Sequence, residues 1–166
     1  AGMVLLMFLS VLLHEFGHSF AARFCDGSSS QIMLWPLGGL AYCQIPDTPV
    51  AHFLTALAGP LVSIGLWIAS LIVEPHTSGW TQVLVFQLGR LNWALWTFNM
   101  IPAFPMDCGR LLQAVLWRRL GYQRSMWICV HLALVIAVIM FTYSFISAAQ
   151  GLNGFLMTGV ATYVFF

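Results

Sequence analysis

The sequence predicts an all-α polytopic membrane protein that carries one small β-hairpin. Composition is the first sign: hydrophobic residues make up 60% of the 166 positions and charged residues 7%, and mean hydropathy is +0.88, a balance that cannot cover a water-soluble surface. Spacing is the second, because apolar runs of about 20 residues, the length that crosses a ~30 Å hydrocarbon core, alternate with short segments rich in Pro, Gly and charge. A net charge of +1 gives no basic field for nucleic acid. The length allows one domain, residues 1–166. Cys25, Cys43, Cys108 and Cys129 show no C-x-x-C spacing, which indicates neither a disulfide framework nor a thiolate zinc site.

The elements follow in order. Ala1 to Phe24 is long enough to span and lacks the basic leader and small-residue cleavage site of a signal peptide. It begins without Met, so we expect truncation at both ends, with upstream sequence and a further span lost. Ile32 to Trp35 and Leu40 to Ile45 are two short apolar runs around Pro36, Leu37, Gly38 and Gly39, the signature of a hairpin, which we expect at the membrane surface. After Pro46, Asp47 and Pro49, Val50 to Val73 supplies a second span and Glu74 to Gly79 a polar loop. Thr81 to Ile101 is a third span, stopped by Pro102 and Pro105. Cys108 to Leu120 reads as a short amphipathic helix, Trp127 to Phe145 as another span, and Leu152 to Phe166 as too short to cross unaided. Arg23, Arg110, Arg118, Arg119 and Arg124 fall on one side of these crossings and Glu74 and His76 on the other. The positive-inside rule makes the Arg side cytoplasmic, so the expected setting is a multi-pass protein of a prokaryotic cytoplasmic membrane.

Within the first span stand His14, Glu15 and His18, an H-E-x-x-H sequence with no other charge before Arg23. Residues four apart share one helix face, so two imidazoles can grip one metal ion while the Glu stands beside it. Three polar groups in an apolar span are costly and rarely idle. His18 lies five residues before Arg23, about 7–8 Å inside the helix end at 1.5 Å per residue, so the site is expected just within the cytoplasmic leaflet. Catalytic zinc usually takes three protein ligands. Of the remaining acids, Asp26 and Asp47 flank the hairpin, Glu74 lies on the opposite side, and Asp107 alone follows the cytoplasmic end of the third span. The Pro102 to Pro105 break before it is non-helical backbone, tolerated at depth only when buried or lining a wet cavity.

These segments, His14-Glu15-Phe16-Gly17-His18, Pro36-Leu37-Gly38-Gly39, Ala58-Gly59-Pro60-Leu61-Val62-Ser63 and Phe98-Asn99 through Asp107-Cys108-Gly109-Arg110, together resemble the site-2 protease family of intramembrane zinc metalloproteases. The resemblance runs from the start to about Tyr122. It implies a compact form without PDZ insertion or appended regulatory domain, a three-helix catalytic core formed by the first three spans, one zinc ion held by His14, His18 and Asp107, and Glu15 as catalytic carboxylate. Cys108 stands where the family usually has Gly. The implied chemistry is peptide hydrolysis in or near transmembrane segments of other membrane proteins, in the manner of regulated intramembrane proteolysis. Zinc acidifies water towards a pKa of ~7, Glu15 takes the proton, and Asn99 or Arg110 is the candidate oxyanion donor. Expected partners are a transmembrane protein substrate, the lipid bilayer and a regulatory membrane protein.

Other positions have plainer readings. Gly59 and Ser63 have the small-x-x-x-small spacing of close helix packing. Arg90, in the middle of the third span, should face protein or water, and His131 should be a satisfied interhelical histidine. His52 and His76 are expected at the interface, and Trp93 and Trp96 facing lipid. Cys108 is a small residue tolerated in place of Gly. A metal-ion transporter or non-catalytic zinc-binding scaffold is the reading from another class. A transporter would string ligands at successive depths, whereas here they gather at one.

Overall fold

The computed structural model describes residues 2–35 and 38–149. The element order is α1 (Gly2–Phe24), β1 (Ser28–Trp35), β2 (Gly38–Gln44), α2 (Pro49–Val73), a 3-10 turn (Glu74–His76), α3 (Gly79–Asn99), α4 (Asp107–Leu120) and α5 (Tyr122–Ala149). Two compact units divide the chain, the first covering residues 1–100 and the second beginning at Ile101.

In the first unit, α1 is buried along a line of residues four apart, Ser10, His14, His18 and Ala22. The same spacing recurs on α2 as Ala51, Thr55, Gly59 and Ser63. Every member of the α2 line is small, so the two helices approach closely with little side chain between them. A Cβ built on Gly17 would lie 2.8 Å from the Ala58 carbonyl oxygen and 2.9 Å from Val62 Cγ2. That leaves the backbones in near-direct contact. α3 is tied to α1 by Asn92, which is fully buried and whose amide donates to Ser10 Oγ at 3.0 Å and to the Leu88 carbonyl at 2.9 Å. Trp67 and Trp93 pack with ring centroids 4.5 Å apart at the α2–α3 seam.

Helix α1 ends in a Schellman turn. Asp26 takes φ 59°, in the left-handed region that Asp tolerates better than most residues; Gly27 N–H then bonds the Ala22 carbonyl at 2.9 Å and Asp26 N–H the Arg23 carbonyl at 3.2 Å. Gly27 lies so close to the Gln44 and Ala22 carbonyl oxygens that a Cβ there would overlap them. The turn folds the chain back into an antiparallel two-stranded sheet, with Met33 opposite Leu40 and Leu34 opposite Gly39 and an irregularity between Ser29 and Gln31. Helix α2 opens with Thr48 capping the Ala51 N–H and Pro at its first position, both ordinary start signals.

In the second unit, α4 begins at Asp107 with Arg118 and Arg119 in its last turn, where cations complement the helix dipole. Gly121, at φ 80°, ends it and α5 starts at once.

The helices and the hairpin stand where the sequence put them, with differences at the edges. The first strand begins at Ser28, four residues before the expected run from Ile32. Among the described residues, three helical segments are long and apolar enough to cross a membrane, Gly2–Phe24, Pro49–His76 and Tyr122–Ile146. The expected third span, α3, is a helix of 21 residues but is not among them. Gln82, Gln87, Arg90, Asn92 and Asn99 dilute it. Arg90 is exposed, its guanidinium 5.8 Å from the Phe86 ring centroid. His131 is likewise exposed. Its Nδ1 bonds the Trp127 carbonyl of the same helix at 2.8 Å and its ring stacks on Trp127 at 3.8 Å, which replaces the expected interhelical partner. The segment 152–166 lies outside the described residues.

The closeness of α1 and α2 makes a first prediction. Gly17→Val puts branched carbon against the Ala58 carbonyl oxygen, and overpacking of this kind costs about 1–3 kcal/mol. A lowered thermal midpoint in detergent is expected; an unchanged midpoint would show that the helices do not touch there.

Candidate metal centre

The centre begins with two imidazoles one helical turn apart. His14 and His18 are buried, their rings edge to face with centroids 4.9 Å apart, and their Nε2 atoms lie 3.2 Å from each other. The outer nitrogens are engaged by α2: His18 Nδ1 donates to the Thr55 carbonyl oxygen at 2.7 Å and His14 Nδ1 lies 2.9 Å from Ser63 Oγ. A carbonyl oxygen only accepts, so His18 carries its proton on Nδ1 and, when neutral, presents an Nε2 lone pair. Ser63 Oγ is a hydroxyl able to accept from His14 Nδ1, the direction that gives His14 the same tautomer and frees its Nε2 for a metal. Two lone pairs aimed into one gap of 3.2 Å repel unless a cation lies between them, and two Zn–N bonds of ~2.0–2.1 Å can bridge such a gap.

Gly59 keeps that gap open. A Cβ on it would overlap His18 Nε2 and lie 2.7 Å from His14 Nε2, so any side chain at 59 occupies the space where the two nitrogens converge. Glu15 is buried beside them. On its other side stands β2, where a Cβ on Gly39 would lie 2.6 Å from Glu15 Cγ and 2.9 Å from Oε1. The carboxylate is therefore confined between its own helix and a strand backbone that carries no side chain at that point.

Asp107, the first residue of α4, is buried. His14 and His18 belong to the first unit and Asp107 opens the first helix of the second. A pair of imidazoles and one carboxylate is a donor set of catalytic zinc sites. Asn99 is half-buried at the end of α3, with its amide donating to the Leu95 carbonyl at 3.0 Å, so one of its donors is spent within the helix. Arg110 is exposed on α4. Cys108 is half-buried, and burial first, then the neighbouring Asp107 carboxylate, pushes its thiol above the ordinary range. A protonated thiol is a poor metal ligand, in keeping with the expectation that Cys108 fills a place usually held by Gly.

Sequence reasoning read Gly59 and Ser63 as packing residues and passed over Thr55. Their functional contacts were nonetheless signalled: Thr55, Gly59 and Ser63 recur at intervals of four, the spacing of His14 and His18.

The sequence matches the pattern of peptidase family M50 over residues 2–74. Among solved structures, it is similar to the site-2 protease from Methanocaldococcus jannaschii with a TM-score of 0.74 and 32% identity, covering 98% of this chain and 73% of that one. It is 38% identical over 152 residues to a zinc metalloprotease of M. jannaschii, covering 89% of this chain and 44% of the relative. Stage IV sporulation protein FB of Bacillus subtilis is 28% identical over 132 residues, 74% of this chain and 43% of that protein. The chain thus spans less than half the length of these two curated relatives.

Ser63 makes the second prediction. Ligand-orienting partners of this kind are worth about 10–100-fold in metal affinity, so Ser63→Ala should weaken zinc binding by that factor in chelator competition. Affinity equal to wild type would mean that the hydroxyl does not orient His14.

Proposed function

Because the chain belongs to the site-2 protease family, peptidase family M50, we propose that it is an intramembrane zinc metalloendopeptidase that cuts peptide bonds in or near transmembrane segments of other proteins. The protein is an integral membrane protein, and zinc is its cofactor. The observation that carries the reading is the pair of Nε2 atoms 3.2 Å apart with their outer nitrogens held by Ser63 and the Thr55 carbonyl. His14 and His18 would hold the ion, and Asp107 is proposed as the third ligand, supported by its burial and by the carboxylate it would add to two imidazoles, a donor set of catalytic zinc. Residues 1–166 are proposed to work as one metalloprotease domain.

Bound zinc supplies Lewis acidity and makes water a nucleophile near neutral pH. The chain's own residues do the rest. Glu15 takes the proton from the attacking water and returns it to the departing amine nitrogen, and Gly39 and the buried flank of α1 fix the carboxylate for that exchange. Asn99 and Arg110 stay candidates for the developing oxyanion, with Asn99 favoured because Arg110 is exposed. A helical substrate hides its carbonyls in i to i−4 bonds, so it must unwind first. The hairpin offers an unwound segment a strand to pair with, and β2 passes directly over Glu15.

For the side of the membrane, the proposed setting is near the cytoplasmic face of a prokaryotic membrane, a reading supported by Arg23 in the last turn of α1 and the positive-inside rule. Release or processing of a membrane-anchored regulator, under control of a membrane partner, is the biological role we propose.

The experiment is reconstitution of purified protein with zinc and a panel of labelled single-span substrates. Wild type should cleave, Glu15→Gln should lose at least about a hundredfold in rate while keeping its zinc, and Asp107→Ala should lose the metal. Cleavage by Glu15→Gln at the wild-type rate would remove it from the reaction. Full zinc stoichiometry and affinity in Asp107→Ala would remove Asp107 from the ligand set.

A further inference from the structure

The face of α1 turned away from the two histidines borders a second space. A cavity of about 440 Å³ lies between α1 and β1, with Leu12, Phe16, Phe20 and Ile32 on its apolar wall. Its polar lining is Ser19, Arg23, Ser29 and Gln31. At 100° per residue, positions 12, 16, 19, 20 and 23 share one side of the helix, while His14 and His18 lie well round from it. The space is therefore separate from the metal centre.

The polarity of this groove is graded along the helix. Arg23 stands in the last turn of α1, and Leu12 lies eleven residues earlier, roughly 16 Å away at 1.5 Å per residue. Half of a ~30 Å hydrocarbon core is about 15 Å. The groove thus runs from the headgroup level to the bilayer midplane, with its one cation at the headgroup end. Arg23 is exposed, and its Nη2 reaches the Ser29 carbonyl oxygen only at 3.4 Å, a contact too long to satisfy a guanidinium with five donors. Ser29 and Ser19, bonded to each other at 2.9 Å, close the polar end. Phe16 and Phe20 are 52% and 76% exposed and form the mouth.

We propose that this groove is a binding site for one anionic phospholipid of the cytoplasmic leaflet, its phosphate on Arg23 and one acyl chain lying along Phe16, Phe20 and Leu12. A peptide strand is the other occupant to consider. The walls favour the lipid: they offer a strip of aromatic and aliphatic side chains with a single charge at one end, which matches an amphiphile carrying one anionic head. The bound lipid would wedge the hairpin against α1 and so hold β2 over Glu15 from behind.

The test uses the purified protein in detergent, titrated with phosphatidylglycerol or phosphatidylcholine and read by native mass spectrometry. Wild type is expected to retain one phosphatidylglycerol per chain in preference to phosphatidylcholine by about fivefold, the factor that one Arg gains near an anionic surface. Arg23→Gln should erase the preference, Arg23→Lys should keep most of it, and Phe20→Ala should weaken retention of both lipids. Zinc content equal to wild type verifies that each variant is folded. Equal retention of the two lipids by wild type overturns the proposal, as does an unchanged preference in Arg23→Gln. Displacement of the lipid by water-soluble glycerol phosphate at comparable concentration would show that the acyl groove contributes nothing. A photoreactive residue at position 20 that cross-links a single-span substrate in place of lipid would assign the groove to peptide.

Discussion

The close approach of α1 to α2 around Gly59 is the constraint on which the rest of the site depends. Two imidazoles four residues apart on an isolated helix rotate freely about their side-chain torsions, and nothing local decides which nitrogen carries the proton. Here α2 orients both rings and settles the tautomer of His18. Its Thr55 carbonyl and Ser63 hydroxyl take the outer nitrogens, and both lie on the ridge of fourth residues that packs against the ridge bearing the histidines. Side chains larger than these at 55, 59 or 63 would part the helices, and the histidines would lose their orientation with the contact.

The same packing explains how polar groups survive in an apolar helix. A buried polar group costs free energy unless it is hydrogen-bonded, and α1 carries five, Ser10, His14, Glu15, His18 and Ser19, in a span that is otherwise mostly apolar. Ser10 bonds the Leu6 carbonyl and accepts from Asn92, and each histidine is bonded by α2. Pro60 contributes to the arrangement. It lacks an N–H, so the Ala56 carbonyl loses its usual helical donor, and this occurs in the turn whose neighbouring carbonyl, that of Thr55, serves His18. The first unit is therefore held together by directed polar contacts between helices as much as by apolar burial, as expected where lipid tails offer no hydrophobic penalty to separation.

How much of this was legible in the sequence differs by element. The helices of α1, α2 and α5 declared themselves by apolar length, and H-E-x-x-H placed two imidazoles on one face with a carboxylate beside them because the spacing alone fixes a shared face. α3 was legible as a helix, but a sequence does not say which face a neighbour covers. His131 deceived for the same reason: the partner expected on another helix is the Trp127 backbone and ring one turn away. Ser63 and Thr55 were harder still. A serine that packs and a serine that orients an imidazole have identical spacing, and a main-chain carbonyl leaves no trace in residue type at all.

The hairpin belongs to the centre as much as the helices do. The Schellman turn at Asp26 and Gly27 sends the chain back along α1, and only a tight reversal can return a strand to a residue as near the helix end as Glu15. Once there, the strand meets a carboxylate and has room for hydrogen alone: the Cβ that Gly39 lacks would fall against Glu15 Cγ. Glu15 and Gly39 thus constrain each other across 24 positions of sequence. A larger residue at 39 would push the strand away or turn the carboxylate out of place. The same backbone that restricts Glu15 presents strand geometry beside it, so the element that confines Glu15 also offers, beside it, an edge of the kind an extended chain pairs with. Confinement of the carboxylate and access for an unwound chain are two consequences of one close contact.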